Sequence, residues 1–253
     1  MVRSIARLVA FVLVAAGVSS AATQARAQWG DLTAKFVFDG TAPTPAKIDA
    51  NKDPEVCAAH PLTDESLLVD SSGGIANVVL YVRTVGVKVN PEYASTDTQT
   101  QIFDNKGCRF EPHVLVVRLT QPLELKNSDP IGHNSNLQPL GDTAINPLLP
   151  PGGQAPYKFN KKQSIPQQVT CNIHPWMKGY ILPRDNPYAA VSAKDGTLTI
   201  KNLPTGDLEF QAWHEKAGYV DTPAWPKGKF THNIKAGAND LGTIKLGAAL
   251  FNK

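Results

Sequence analysis

Seven consecutive residues, Cys171-Asn172-Ile173-His174-Pro175-Trp176-Met177, carry a thiolate, an imidazole and a thioether. These are three of the four donors of a copper electron-transfer site, which takes two histidines, one cysteine and a weakly bound axial methionine. Met177 is the sole methionine besides Met1, so ordinary core filling accounts for it poorly. The fourth donor must come from upstream, and His133, which follows the run Asn127 to Gly132, is the best-placed histidine. Two imidazoles and a thiolate in a near-trigonal plane, with a distant thioether, suit both Cu(I) and Cu(II), so little reorganises when an electron moves. Zinc accepts cysteine and histidine but has little use for a thioether. Any one of these residues alone would carry no such reading.

A seven-residue loop cannot wrap an ion by itself, so strands must bring His133 to it. Leu115, Val117, Leu119, Leu123 and Leu125 fall on alternate positions, with Arg118, Thr120, Glu124 and Lys126 opposite. That period of two predicts two strands, or one bent strand, with one face in a core. The following Asn127-Ser128-Asp129-Pro130 is a turn that delivers His133 to the end of the sheet. Val169–Cys171 reads as the strand into the loop and Lys178–Leu182 as the strand out, with Pro175 stiffening the loop. The backbone N–H of Asn134 is placed to hydrogen-bond the Cys171 sulfur and raise a reduction potential.

Twenty prolines, nineteen glycines and no sustained helical periodicity predict an all-β chain with many turns. Leu32–Phe38 and Ala76–Val82 read as strands, Pro43–Pro61 as irregular, and residues 90–106 as a polar loop. Asn134–Pro156 is a long loop punctuated by proline and glycine, of the kind that covers functional sites. Beyond Pro183 the alternation in 195–206, 208–215 and 241–246 predicts a smaller antiparallel β-sandwich. The expected division is therefore a leader over 1–27, a copper-binding unit with an N-terminal extension over 28–184, and a small sandwich over 185–253. The sequence leaves open the alternative that residues 29–85 supply the first strands of the second sandwich, making the copper unit an insertion.

Residues 1–27 have the anatomy of a secretory signal peptide: Arg3 and Arg7, an apolar centre from Leu8 to Val18, and Ala25-Arg26-Ala27 before the cut. That predicts a periplasmic or secreted protein beginning at Gln28, with no membrane span. Loss of Arg3, Arg7 and Arg26 lowers the Lys and Arg count from 25 to 22, equal to the 22 acids. The mature surface is neutral, which removes any compositional case for nucleic acid or anionic membranes. Three cysteines are an odd number for an oxidising compartment. The economical pairing is a Cys57–Cys108 disulfide with Cys171 kept reduced by metal; a free or otherwise paired Cys171 is the alternative.

Cys171-x-x-His174-Pro175-x-Met177, continued by Lys178-Gly179-Tyr180 and preceded by His133-Asn134, resembles the ligand loop of the amicyanin and pseudoazurin branch of the cupredoxins. The likeness covers roughly residues 105–184. It implies a Greek-key β-sandwich, one type 1 copper held by His133, Cys171, His174 and Met177, and His174 at a partly exposed edge through which electrons pass. Small cupredoxins end soon after this loop, whereas this chain continues for about seventy residues. The pattern from Asp195-Gly196 to Leu203-Pro204-x-Gly206 resembles the carboxypeptidase-regulatory or transthyretin-like sandwich. The whole chain resembles copper-module proteins of bacterial cell envelopes.

Other candidates carry less. His113 and His60 read as hydrogen-bonded histidines near the disulfide rather than ligands. His214-Glu215 resembles an acid–base pair without a partner. Trp176, between two ligands, is either a plug that keeps water off the metal or part of a docking face. The functional expectation is an electron carrier serving a redox partner such as a cytochrome or dehydrogenase. The alternative is an envelope module binding glycan or protein, with copper structural or absent. Catalysis is not expected: four protein donors leave no open metal position, and Gln28 at the mature N-terminus rules out a copper monooxygenase that needs histidine there.

Overall fold

The partners of the first strand lie at the far end of the chain. Trp29–Asp39 pairs antiparallel with Thr197–Pro204 and parallel with Gly237–Gly247. The computed structural model describes residues 28–252; the predicted leader lies outside them. Leu32, Ala34, Phe36 and Phe38 alternate inward along Trp29–Asp39, as a strand with one buried face requires. They face a second sheet built from Ala189–Val191, Val79–Val82, Gly206–His214 and Lys229–Ile234. Leu80, Val82, Ile200, Leu208 and Phe210 complete this core.

This pairing corrects the linear division into 28–184 and 185–253. Trp29–Asp39 and Val79–Val82 belong with the C-terminal strands, and residues 101–184 intervene between the parts of that sandwich. The reason is burial: Leu32 and Phe36 of the first strand and Leu80 and Val82 of the second share one core with Ile200, Leu208, Phe210 and Leu246, all beyond residue 188.

Residues 101–184 form the other sandwich. One sheet runs Gln154–Tyr157, Leu123–Asn127, Gln101–Asn105, Phe110–Glu111; the other runs Val114–Arg118, Lys178–Arg184, Gln167–Thr170, Asn136–Leu137. Phe103, Phe110, Leu125, Val169 and Ile181 fill the space between them. The alternating run thus resolves into two strands, one of the two readings the sequence allowed, with Val114–Arg118 and Leu123–Asn127 in opposite sheets. Gln101–Asn105 is a strand where a loop was expected, because only Phe103 and Asn105 point inward and leave too short an apolar signal. Gly179, just past the ligand loop, sits so close to Phe103, Phe110 and the His113 carbonyl that a Cβ would meet them at 2.8–3.0 Å.

The two sandwiches share a wall. Val79, Tyr81 and Trp213 of one pack on Val114 and Leu182 of the other. All four residues of Val79–Val82 are buried, which explains why that strand is apolar throughout rather than alternating. Arg184 crosses the same wall, donating to the carbonyls of Gln163 and Val82 at 2.9 and 2.8 Å, with its guanidinium 4.6 Å from the Tyr81 ring. No helix among the described residues is long and apolar enough to cross a membrane.

Leu182 is fully buried in this wall. Leu182→Ala is expected to lower unfolding stability by about 2–5 kcal/mol, measured as a fall in the denaturant midpoint with the slope unchanged.

Candidate metal centre

The ligand loop is a tight connection between neighbouring strands. Gln167–Thr170 pairs antiparallel with Lys178–Arg184, and Thr170 lies opposite Lys178. Two hydrogen bonds close the turn, from the Cys171 N–H to the Met177 carbonyl at 3.2 Å and from the Met177 N–H to the His174 carbonyl at 2.9 Å. His133 arrives on the short strand His133–Asn134, which pairs with Leu148–Leu149.

Three of the four sequence-predicted donors converge on one point. The Nδ1 atoms of His133 and His174 lie 3.9 and 3.7 Å from the Cys171 sulfur. The donor atoms of these three residues all fall within 4.8 Å of one another. Metal bonds of about 2.0–2.3 Å to nitrogen and sulfur, spread around a trigonal plane, separate the donors by roughly 3.6–3.8 Å. The residues present therefore fit a single metal ion. Met177 is buried in the same apolar cluster as Cys171. A second cluster, Cys108, Asp129 and His133, is also close together. It offers no thiolate, because Cys108 is bonded to Cys57 in the predicted disulfide, while Cys171 is free.

Both imidazoles are held from behind. Asp129 Oδ2 lies 2.9 Å from His133 Nε2, and Asp53 Oδ2 lies 2.8 Å from His174 Nε2. A carboxylate on Nε2–H leaves Nδ1 free to bind metal and fixes the ring plane. Asp129 is itself locked by the N–H groups of Gly107 and Cys108 at 2.6 and 2.8 Å. Burial opposes ionisation of the Cys171 thiol. Hydrogen bonds from His133 and from the backbone of Asn134 and His174 nevertheless bring it down to about 6. Burial also opposes a charge on His133, which Asp129 and Cys171 overcome to raise it to about 9. Asn134 does more than its backbone role: its side-chain oxygen accepts the Asn172 N–H at 2.8 Å and lies 3.5 Å from the Cys171 sulfur. It thereby ties the His133 strand to the ligand loop.

The expectation of a partly exposed His174 is overturned, for His174 is fully buried. A strap, residues 40–66, crosses this end of the sandwich. Ala50, Cys57 and Leu62 on it pack with Cys108, Ile131 and Trp176, and the Cys57–Cys108 bridge fastens it. Trp176 is half-buried, its ring 5.3 Å from that of His174 and its indole N–H donating to the Cys108 carbonyl at 3.1 Å. Pro175 stays exposed. Sequence reasoning missed both carboxylates. Asp129 was within reach, four residues before His133, whereas nothing local marks Asp53, 121 residues from its histidine.

The remaining histidines stand apart from the centre. His60 packs near Gly107. His113 pairs with Glu215 at 2.7 Å, so the two halves of the suspected His214-Glu215 pair separate. His214 itself is buried and held neutral, by burial first and then by the charge of His113, which bring it down to about 4.

No protein-family model matches the chain, and no curated protein matches it in sequence. Among solved structures it is similar to a Cu-containing nitrite reductase (NirK) from Thermus scotoductus SA-01, with 23% identity and TM-score 0.32 over 41% of this chain. The matched part spans 25% of that enzyme's chain. It is also similar to a purple cupredoxin from Nitrosopumilus maritimus, with 20% identity and TM-score 0.28 over 34% of this chain and 98% of that one. A methionine-to-alanine mutant of amicyanin in its Cu(I) form gives 16% identity and TM-score 0.31 over 42% of this chain and 98% of its own.

Proposed function

We propose that this chain is a periplasmic or secreted copper protein that carries single electrons, with His133, Cys171, His174 and Met177 as the ligands of one type 1 copper. The observation that carries the reading is the approach of both histidine Nδ1 atoms to the Cys171 sulfur at 3.7–3.9 Å. Copper bound there would supply a one-electron couple whose two oxidation states tolerate the same donors.

The chain's own residues do the rest. Asp129 and Asp53 hold the two imidazoles in the metal-binding tautomer and plane. Asn134 and the backbone around it stabilise the thiolate. The strap and Trp176 keep water from the centre, which tunes the potential of a buried ion. Four protein donors leave no position for substrate, so transfer of an electron to a protein partner, such as a cytochrome or dehydrogenase, accounts for the site better than catalysis does. Ile173, Pro175 and Leu148 are exposed near the loop and would meet such a partner. The leader-like residues 1–27 support export.

Cu(II) added to the mature protein is expected to give an intense visible thiolate-to-copper band and a narrow hyperfine pattern in electron paramagnetic resonance. Cys171→Ser should lack both, and a colourless wild-type complex would overturn the reading. Asp53→Ala should weaken copper binding by roughly 10–100-fold, read by competition with a chelator. It should also raise the reduction potential, since the carboxylate favours the more highly charged ion.

A further inference from the structure

The four sequence-predicted donors have almost no contact with solvent: His133 and His174 are 0% exposed, Met177 1% and Cys171 2%. An ion can reach them only if part of the cover moves. On the inner side lies the packed core of Phe103, Leu125, Val169 and Ile181. The ligand loop is tied by the two hydrogen bonds that close its turn and by the Asn172 N–H on Asn134. The strap is fastened differently. Among the described residues, every backbone hydrogen bond made by residues 40–66 runs within that segment, as from Ile48 to Leu62 and from Asp64 to Ala46. Lys47 and Thr63 form a bridge across it in the same way. The strap is thus folded on itself and has no backbone bond to the sandwich it crosses.

Its attachments are few. Of its residues only Ala50, Cys57 and Leu62 are buried. Two carboxylates reach the body, Asp53 on His174 and Glu65 beside Arg109 and His113. The Asp53 side chain is 39% exposed, so water competes for its contact. A cavity of about 430 Å³ lies under the strap, with Ile48 and Leu62 on one side and Trp176 and Met177 of the ligand loop on the other. The one covalent tie is the bridge from Cys57 to Cys108. We propose that the strap is the gate through which a metal ion enters and leaves the centre, and that the Cys57–Cys108 bridge is its latch. Asp53 travels with the gate: lifting it opens His174 to solvent and removes the carboxylate from its Nε2 in one movement, and closing restores both. Local opening of a segment with few buried contacts needs no unfolding of the sandwiches. Behind the closed latch, exchange of the ion is set by the rate of strap opening, whatever its affinity.

The gate rests on the metal reading of the centre, and its test separates the two. Co(II) uptake, followed by the thiolate-to-cobalt band, and release to a chelator are timed in wild type and in the double variant Cys57→Ala, Cys108→Ala. Both rates are expected to rise about tenfold or more once the cross-link is gone. Faster release with unchanged uptake would mean weakened binding only and would overturn the gate, as would equal rates in both proteins. No cobalt band in either protein would remove the metal reading and the gate with it. Modification of His174 by diethyl pyrocarbonate, read by mass spectrometry, follows the strap without metal and should accelerate in the same variant. Leu182→Ala, which loosens the shared wall instead, should leave that rate within about twofold, because distant sites act independently. If the double variant does not fold, the unaltered protein still decides. Strap opening exposes little surface, so His174 modification should be nearly independent of urea below the unfolding transition. A steep rise with urea would show that only global unfolding uncovers His174, and would overturn the proposal.

Discussion

Two imidazoles and a thiol are buried together at the end of an apolar sandwich, and that arrangement is unfavourable unless each polar atom finds a partner. Most of the architecture around the centre answers this constraint. The inner nitrogens face the Cys171 sulfur, and the outer ones face Asp129 and Asp53. Asp129 can serve because the turn at Gly107-Cys108 donates two backbone N–H groups to it. That turn is held in turn by the disulfide to Cys57. The disulfide therefore does more than restrict the unfolded chain. It anchors the strap that presents Asp53 and the turn that fixes Asp129, so both histidines depend on it from opposite sides.

The nested topology gives the strap its origin. It leaves the end of Trp29–Asp39 and returns to Val79–Val82, two strands of the sandwich that carries no ligand. A connection within one sandwich thus covers the end of the other where His133, Cys171 and His174 converge. Such a cover is useful only if the two sandwiches keep a fixed relation. The wall formed by Val79, Tyr81, Trp213, Val114 and Leu182 and crossed by Arg184 supplies it. The long tail and the early strands, which look like an appendage when the ligand loop is considered alone, are in this sense part of the site.

What was legible in the sequence follows the range of each interaction. The ligand loop could be read because three of its donors fall within seven residues of a turn, and His133 because its neighbour Asn134 and the alternating run before it point to a sheet end. The disulfide followed from the odd cysteine count once Cys171 was assigned to the metal loop. Strand pairing between Trp29–Asp39 and Gly237–Gly247 left no local trace, since an alternating strand announces that it has a buried face but not what covers it. Gln101–Asn105 was hidden because its two inward residues are Phe103 and a buried asparagine. Asp53 is the clearest case. An aspartate before a four-residue helix, in a proline-rich stretch, gives no sign of a histidine so far along the chain.

Sealing His174 also changes how electrons would reach the centre. A partner docking on a small copper protein of this kind is expected to approach the histidine edge, yet here Asp53 and the strap occupy it. The ligand-bearing segment still meets solvent through Ile173 and Pro175, and Trp176 remains half-buried with its ring close to that of His174. Under the copper reading, coupling to a partner runs through the covalent loop or across the Trp176 ring rather than directly from an exposed imidazole. On that reading the added distance would slow exchange, while the exclusion of water would limit reorganisation of the surroundings. On that same reading, Asp53, the disulfide and the shared wall would exchange open access for a centre whose donors barely need to move.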